Sequence, residues 1–440
     1  MSGVEQVVNA DCLEHMRTMP DNFVDAIVTD PPYGLAFMGA KWDSFGGSTG
    51  NETVGERRKK MNEYLGANAV VPAFASSHGH APKLSEMREF QAAMTPVFEE
   101  ALRVAKPGAH LLCFGGTRTF HRMACAIEDA GWTVIDCVMW VYGSGFPHGM
   151  DVGKKLQGWE GWNTALKPAW EPIIVARKPL DGTVASNLLA WGVGAINVDA
   201  CRVPTGDNLN GGAYVTNGGR SQLNGDMRTT SGQGMFAAGS TTGKEFTQPT
   251  GRFPANLVHD GSEEVVRLFP QSDGQQADVT GDEPSHPADG VCYGEYSGRH
   301  EFSKRGDSGS AARFFNSFRD GEESAERTYA DRGSTNFAAK PGMRREQASA
   351  DRFFYCAKAS KKDRGEGNHH PTVKPTALME WLVKLVTPEG GTVLDPFAGS
   401  GSTLVACRRL GLGFIGIERE REYCEIIERR LSEPTQMRMW

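Results

Sequence analysis

No apolar run in the 440 residues comes near the roughly 20 that cross a bilayer. Met1–Asp11 also lacks the basic-then-apolar pattern of a secretory leader. These absences set the expectation of a soluble, cytoplasmic chain with no membrane partner. Cysteine is sparse: nine residues, scattered and odd in number, with no Cys-x-x-Cys pair. That excludes a disulfide framework, and reduced or buried thiols are expected. His78-x-His80 and His369-His370 have neither neighbouring cysteines nor a matching second pair, so no metal is expected. The formal charge of −7 does not suit a nucleic-acid coat protein. It leaves a nucleic-acid enzyme open, because local fields outweigh totals.

What is present is a globular composition, 39% apolar and 23% charged, long enough to bury one large core or two modest ones. Its 53 glycines imply long and numerous loops. The organising stretch is Val24–Tyr33, VDAIVTDPPY. Ala26-Ile27-Val28 reads as a buried strand that stops at Asp30, since Pro31-Pro32 forbids both a helix and a continuing central strand. An acid, a stiff turn and an aromatic ring thus stand at the carboxyl end of a strand, the edge where open α/β sheets bind ligands. Asp30 can accept hydrogen bonds from an amine, the proline carbonyls are fixed acceptors, and Tyr33 offers a flat face for stacking. Taken alone, the tetrapeptide also fits a plain strand-terminating turn.

Around it the chain has a βαβ rhythm. Gln6–Asp11 reads as a strand ending in an acid, and Cys12–Met19 as one or two helical turns. Ser85–Ala105 reads as a helix capped by Ser85, kinked or split at Pro96 and ended by Lys106-Pro107-Gly108. Ala109–Phe114, Trp132–Trp140 and Trp170–Arg177 read as strands, with a helix at Thr119–Ala130. Regularity returns at Arg352–Tyr355. It continues as a helix (Ala377–Val386), a strand (Thr392–Asp395), a helix (Thr403–Leu410), a strand (Gly413–Ile417) and a helix (Glu422–Leu431).

Three stretches break the rhythm. Gly34–Lys83, with Phe37, Trp42 and Phe45, is either a lid over the Asp30–Tyr33 turn or disordered. Thr205–Gly251 is dominated by Gly, Asn, Ser and Thr and is expected to be mobile. Gly294–Gly342 interleaves arginines with Phe302, Phe314, Phe315, Phe318 and Tyr329, which suits a nucleic-acid surface and a solvated insertion equally. From Arg299 to Arg364 there are 15 Lys/Arg against 10 Asp/Glu, a local basic excess.

A second constellation lies near the other end: strand, then Asp395-Pro396-Phe397-Ala398-Gly399-Ser400-Gly401-Ser402-Thr403, then helix. Glycines let the backbone approach a ligand, the helix start offers free N–H groups, and Glu418 at the tip of the next strand is placed to receive ribose hydroxyls. The third glycine of a dinucleotide fingerprint is missing, with Thr403 and Leu404 at the second and third places after Gly401. A pyrophosphate needs that close approach; S-adenosylmethionine does not and fits better.

Together, Asp30-Pro31-Pro32-Tyr33 and Asp395-Pro396-Phe397-Ala398-Gly399-Ser400-Gly401 resemble the paired motifs of amino-group DNA methyltransferases, in the permuted order of the β class. The resemblance covers roughly Val4–Lys178 and Arg352–Leu431. It takes in the stretches WVYGSGFPHGMDVGKKL and HPTVKP and omits most of Leu180–Ala350. It implies a Rossmann-like α/β S-adenosylmethionine-dependent methyltransferase fold, circularly permuted, with an inserted irregular target-recognition region. The corresponding divisions are 1–178 (catalytic half), 179–350 (insertion, partly flexible) and 351–440 (cofactor half). It further implies that Asp30 and the Pro31 carbonyl bond the target amine, Pro32 stiffens the turn, and Tyr33 stacks on an extruded base. Phe397, Gly399 and Gly401 line the methionine and sugar within the loop Asp395–Thr403, to which Ser402 also belongs. Glu418 holds the ribose, Asp11 with Cys12 beside it reads the adenine, and Thr372 and Lys374 lie near the methionine end. The partner it implies is double-stranded DNA. A homodimer is expected from the resemblance alone, and the sequence is silent on a cognate restriction nuclease and on the recognition site.

The expected product is N6-methyladenine, because Asp at the first motif position resembles adenine-modifying members more than cytosine-N4 ones, which commonly carry Ser. N4-methylcytosine is the alternative, followed by an RNA or protein-amide substrate. A cytosine carbon-5 mechanism needs a nucleophilic Cys after a proline, and none of the nine has one. Two rivals come from other classes. A nicotinamide oxidoreductase is opposed by the missing glycine, and a non-catalytic nucleic-acid module is opposed by the completeness of both site halves.

Overall fold

The computed structural model describes residues 4–34, 84–143, 145, 149–205, 209, 249–272, 309–318, 359 and 361–433. They fall into two compact units: Met1–Cys201 with Asn256–Val265 and Ser317–Trp440, and Arg202–Ala255 with Val266–Asn316. Among the described residues no helix is long and apolar enough to cross a membrane.

The large sheet has nine strands among the described residues: β1 Glu5–Asn9, β2 Val24–Thr29, β3 Ala105–Phe114, β4 Thr133–Val141, β5 Trp170–Arg177, β6 Leu257–His259, β7 Asn316–Ser317, β8 Thr392–Asp395 and β9 Gly413–Glu418. Their order in the sheet is β1-β9-β8-β2-β3-β5-β4-β6-β7. Pairing is parallel from β1 through β3, antiparallel at β3–β5 and β5–β4, and parallel again at β4–β6. The α/β, mostly parallel sheet expected from the sequence is observed. β2 and β8, whose ends carry the two motifs, are neighbours although they lie far apart in sequence, with Ala26 opposite Val393 and Ile27 opposite Leu394.

Among the described residues the helices longer than four residues are α1 Cys12–Met16, α2 Leu84–Val104, α3 Phe120–Asp129, α4 Val184–Trp191, α5 Thr376–Val386, α6 Ser402–Arg409 and α7 Arg421–Ser432. Strand alternation sends side chains to two cores. Ala26, Val28, Leu112, Phe114, Ile173, Val175 and Val393 join residues of α5 and α6 in one. Ile27, Leu111, Cys113, Ile174, Ala176 and Leu394 join residues of α2 and α3 in the other. Burial on both faces is why these strands read as continuous apolar runs rather than alternating ones.

α2 ends at Val104, just before Lys106-Pro107-Gly108 as expected, but two details differ. Pro96 lies inside one continuous helix and does not split it. A proline there costs about 3 kcal/mol. The buried stripe Met87, Phe90, Met94, Val97, Phe98 and Ala101 offsets that, at about 1.5–3 kcal/mol for each large side chain. Nor does Lys106-Pro107-Gly108 separate helix from strand; it lies within β3. Val24 pairs with Ala105 and Ala26 with His110, so the tripeptide forms an outward bulge on β3. The Lys106 ammonium is 2.6 Å from Asp25, whose other oxygen accepts the Thr392 N–H at 2.8 Å. Gly108 has φ +81°, and a Cβ there would lie 2.4 Å from the Asn187 amide nitrogen.

That asparagine marks a third difference. Residues 179–201 and 256–265, expected in the insertion, belong with the sheet. Thr183 and Ser186 form a reciprocal capping box at the start of α4, and Gly192 ends it in the left-handed conformation. Buried Asn187 then donates to the carbonyls of Pro107 (2.9 Å) and Val193 (2.7 Å) and accepts the Asp181 N–H (2.8 Å). In the second unit, Val203–Pro204 pairs antiparallel with Gly251–Arg252, and Gln271–Ser272 with Gly309–Ser310. Arg252 and Arg313 lie 4.6 and 4.3 Å from the Phe314 ring centroid. Phe37, Trp42 and the possible lid, the Arg352–Tyr355 segment and most of Thr205–Gly251 and Gly294–Gly342 lie outside the described residues.

Asn187→Ala leaves three buried backbone groups without their partner. It is expected to destabilise the fold by about 2–4 kcal/mol, read as a lower urea midpoint at unchanged slope.

Candidate active site

Both motifs stand at the carboxyl edge of the sheet. After β2, Pro31-Pro32 turns the chain and brings the Tyr33 hydroxyl back to donate to Asp30 Oδ1 at 2.8 Å. Gly116 makes room for the ring: a Cβ there would lie 3.0 Å from Tyr33 Cδ2. The other Asp30 oxygen accepts Lys374 Nζ at 2.5 Å, and the same ammonium lies 3.4 Å from Glu171 Oε2 and 4.6 Å from the Phe114 ring centroid. Tyr142 donates to Glu171 Oε1 at 3.4 Å. Two carboxylates and one ammonium thus share a largely buried cluster. Burial pushes the Asp30 carboxyl upward, and so does Glu171, while Lys374 pulls it back. Burial and the neighbouring carboxylates hold the Tyr33 and Tyr142 phenols well above their ordinary value.

The glycine loop is tied to this cluster through the neighbouring strand. Thr29 Oγ1 donates to Asp395 Oδ1 at 2.7 Å, and the Phe397 N–H donates to the same oxygen at 3.1 Å. Asp395 is buried and its carboxyl is pushed up to about 6, so it holds the loop from within. Gly399 and Gly401 adopt φ of +54° and +80°. A Cβ on Gly401 would lie 3.0 Å from Ile427, and one on Gly399 would lie 3.0 Å from His370 Nε2. The buried Arg430 guanidinium fixes the loop further by donating to the Ser400 carbonyl. Ser402 opens α6, and Thr403 Oγ1 reaches the Val28 carbonyl at 3.5 Å.

Glu418 ends β9 beside the loop, accepting the Gly399 N–H on one carboxylate oxygen and the Glu420 N–H on the other, each at 2.8 Å. Asn9 ends β1 opposite Glu418 and donates to the Glu418 and Arg419 carbonyls. Asp11 follows and caps α1, accepting from the Leu13 and Glu14 N–H groups. Burial raises the Cys12 thiol to about 12. Asp11, Asp395–Thr403 and Glu418 therefore share one edge.

HPTVKP divides between the two halves. Lys374 reaches Asp30, whereas the exposed Thr372 donates its N–H to His370 Nδ1 at 3.3 Å. His370 packs on Tyr423 with ring centroids 4.5 Å apart, and burial lowers it to about 4, so it is neutral. Sequence reasoning missed Glu171, Tyr142 and His370. A signal for Glu171 was there: an acid inside the otherwise apolar WEPIIVAR strand requires a buried partner. Among the described residues no group of His, Cys, Asp and Glu suited to a metal is found.

Residues 24–209 and 295–429 match the family described as DNA methylase, which spans N6 and N4 types. A 73-residue stretch is 47% identical to the type II methyltransferase M2.DpnII of Streptococcus pneumoniae, covering 17% of this chain and 27% of that one. Over 207 residues the chain is 26% identical to the type II methyltransferase M.HindIII of Haemophilus influenzae, covering 44% and 65% of the two chains. The match thus spans about a quarter of the first relative and just under two thirds of the second. The solved PvuII cytosine-N4-specific DNA methyltransferase aligns over 99% of this chain and 90% of its own at 11% identity, with a TM-score of 0.40. That likeness is too distant to bear on chemistry. Most of the sequence lies inside the family match, and the chain belongs to this DNA methylase family.

Proposed function

We propose that the protein transfers a methyl group from S-adenosylmethionine to the exocyclic N6 amine of adenine in duplex DNA. The observation that carries this reading is the placement of Asp30, held by Lys374 and Tyr33, one strand away from the glycine loop. The loop fits the cofactor. Gly399 and Gly401 turn the loop through left-handed φ values, packed closely against His370 and Ile427, and both Glu418 oxygens retain a lone pair after accepting their backbone N–H groups. In this reading Phe397, Gly399, Gly401, Ser402 and Thr403 would line the cofactor and Glu418 would bind the ribose. Asp11 and Cys12 would border the adenine, with Thr372 at the rim. When bound, S-adenosylmethionine supplies an electrophilic methyl group on a sulfonium.

The chain's own residues do the rest. An exocyclic amine is a weak nucleophile because its lone pair is delocalised into the ring. The Asp30 carboxylate and the Pro31 carbonyl accept its N–H groups and direct the lone pair outward. Positive charge then develops on the nitrogen. With Asp30 and Glu171 ionised, the cluster holds two negative charges against the one positive charge of Lys374, and it stabilises that developing cation. A base inside a duplex cannot reach such a pocket, so the target must leave the stack, with Tyr33 as its platform. Asp30 at the head of the turn favours adenine over cytosine. Sequence choice falls to the insertion, a homodimer follows the resembling class, and double-stranded DNA is the partner.

Asp30→Ala is expected to lower methyl transfer about 10²–10³-fold while leaving cofactor affinity, measured by calorimetry, within about twofold. Near-normal turnover would remove Asp30 from the chemistry.

Lys374→Met removes the cation that holds the Asp30 carboxyl down, so that carboxyl protonates at higher pH. The reaction needs the ionised form, and the acid limb of the pH–rate profile should therefore move to higher pH. An unmoved limb contradicts the coupling.

The product itself is read by nucleoside mass spectrometry of initially unmethylated DNA treated with enzyme and cofactor. N6-methyladenine is expected. N4-methylcytosine alone would overturn the adenine assignment, and methylated RNA or protein with unmodified DNA would overturn the DNA reading.

A further inference from the structure

Between β4 and β5 the chain does not turn tightly. It leaves the sheet at Tyr142 and returns at Ala169, and Tyr142 N–H donates to Ala169 O at 2.9 Å. From Gly149 to Ala169 the two legs stay together as a finger. Thr164 N–H donates to Met150 O, Val152 N–H donates to Trp162 O, and Asp151 pairs antiparallel with Asn163. The legs run too close for side chains at the glycines between them. A Cβ on Gly149 would lie 1.6 Å from Asn163 Oδ1, and one on Gly153 would lie 2.8 Å from Glu160 Cα. Gly158 and Gly161, with φ of +87° and +84°, turn the tip.

This ordered finger shows the solvent what a folded chain ordinarily hides. Trp159 and Trp162 lie edge to face with centroids 5.1 Å apart, yet they are 47% and 61% exposed. Leu166 is 91% exposed, and Met150 and Leu156 are also exposed. The finger's cations, Lys154, Lys155 and Lys167, are exposed as well. Its acids are engaged locally: Asp151 faces Lys154 at 3.6 Å, and Glu160 accepts the Gly158 N–H at 3.1 Å.

Position selects the partner. β3 and β4 both run antiparallel to β5, which lies between them, and β3 runs parallel to β2, so β4 points the same way as β2 and the finger leaves from the edge that carries Asp30. Its root is part of the catalytic cluster, since Tyr142 and Glu171 flank it and bond each other there. A nucleotide delivered to Asp30 therefore brings its strand past the finger. A base that leaves the duplex unstacks its neighbours, and exposed aromatic faces with flanking lysines suit those bases and the adjoining phosphates.

On the DNA-methyltransferase reading above, we propose that the finger Gly149–Ala169 is a duplex-contacting element, with Trp159 and Trp162 packing on bases beside the extruded target and Lys154, Lys155 and Lys167 meeting phosphates. The test uses the full chain with a random-sequence unmethylated duplex library. Trp159→Ala/Trp162→Ala is expected to lower kcat/KM tenfold or more, chiefly through KM, with Trp159→Phe/Trp162→Phe restoring most of it. Lys154→Ala/Lys155→Ala/Lys167→Ala should lower the slope of log affinity against log salt by about 2–3, the value for three phosphate contacts. Wild-type DNA methylation with the alanine variants within twofold of it and the slope unchanged overturns the finger's role and leaves the enzyme reading intact. Loss of self-association with unchanged DNA binding makes the finger a contact between copies and overturns the proposal too. Absence of DNA methylation by the wild type overturns the enzyme reading and the finger's role together.

Discussion

The buried Lys374 ammonium is the group on which the site depends. Taking an ammonium out of water costs several kcal/mol even after the protein relaxes, and only well-placed opposite charge offsets it. Here Asp30 and Glu171 provide that charge from two different strands, and the Tyr33 and Tyr142 hydroxyls satisfy the remaining carboxylate oxygens. The three ionisable groups come from β5, the turn after β2 and the segment before α5, so the cluster forms only when the sheet is assembled. Loss of one member would leave the others buried without compensation, so the site and the fold are guarded by the same interaction.

The half around the glycine loop follows different physics. Its loop is held by side chains that bond its backbone: Glu418 accepts the Gly399 and Glu420 N–H groups, Asp395 accepts that of Phe397, and Arg430 donates to the Ser400 carbonyl. Gly399 and Gly401 turn it through left-handed φ values, close against His370 and Ile427. One half of the site is thus an electrostatic device and the other a shaped backbone loop, joined across neighbouring strands by the Thr29–Asp395 and Thr403–Val28 hydrogen bonds.

The strands were legible because both faces are buried, which leaves apolar runs such as Ala26–Val28 and Thr392–Leu394 with little else to be. The two motifs were legible because proline, glycine and acid have narrow uses at strand ends. The bulge at Lys106–Gly108 was not, since it exists to meet Asn187, a partner about eighty residues away. The docking of residues 179–201 was hidden for the same reason. Lys374 was expected near the cofactor from its place in HPTVKP; its ammonium lies at Asp30 because the fold, not the motif, decides where a long side chain ends. Glu171 was visible as an acid in an apolar strand, but its partner was not.

The sheet order has a consequence for how the chain is made. β8 and β9 separate β1 from β2, and the bond that closes β2 on β8 joins residues 366 apart in sequence. A ribosome adding about 5–20 residues per second reaches β8 roughly 20–80 s after β2. During that interval the edge of β2 that β8 will occupy, including the strand that leads to Asp30, has no native partner. The newborn chain therefore carries an open apolar edge for most of its synthesis, and its yield in a cell rests on chaperones or on the early β2–β3–β5–β4 layer keeping that edge from pairing with another chain.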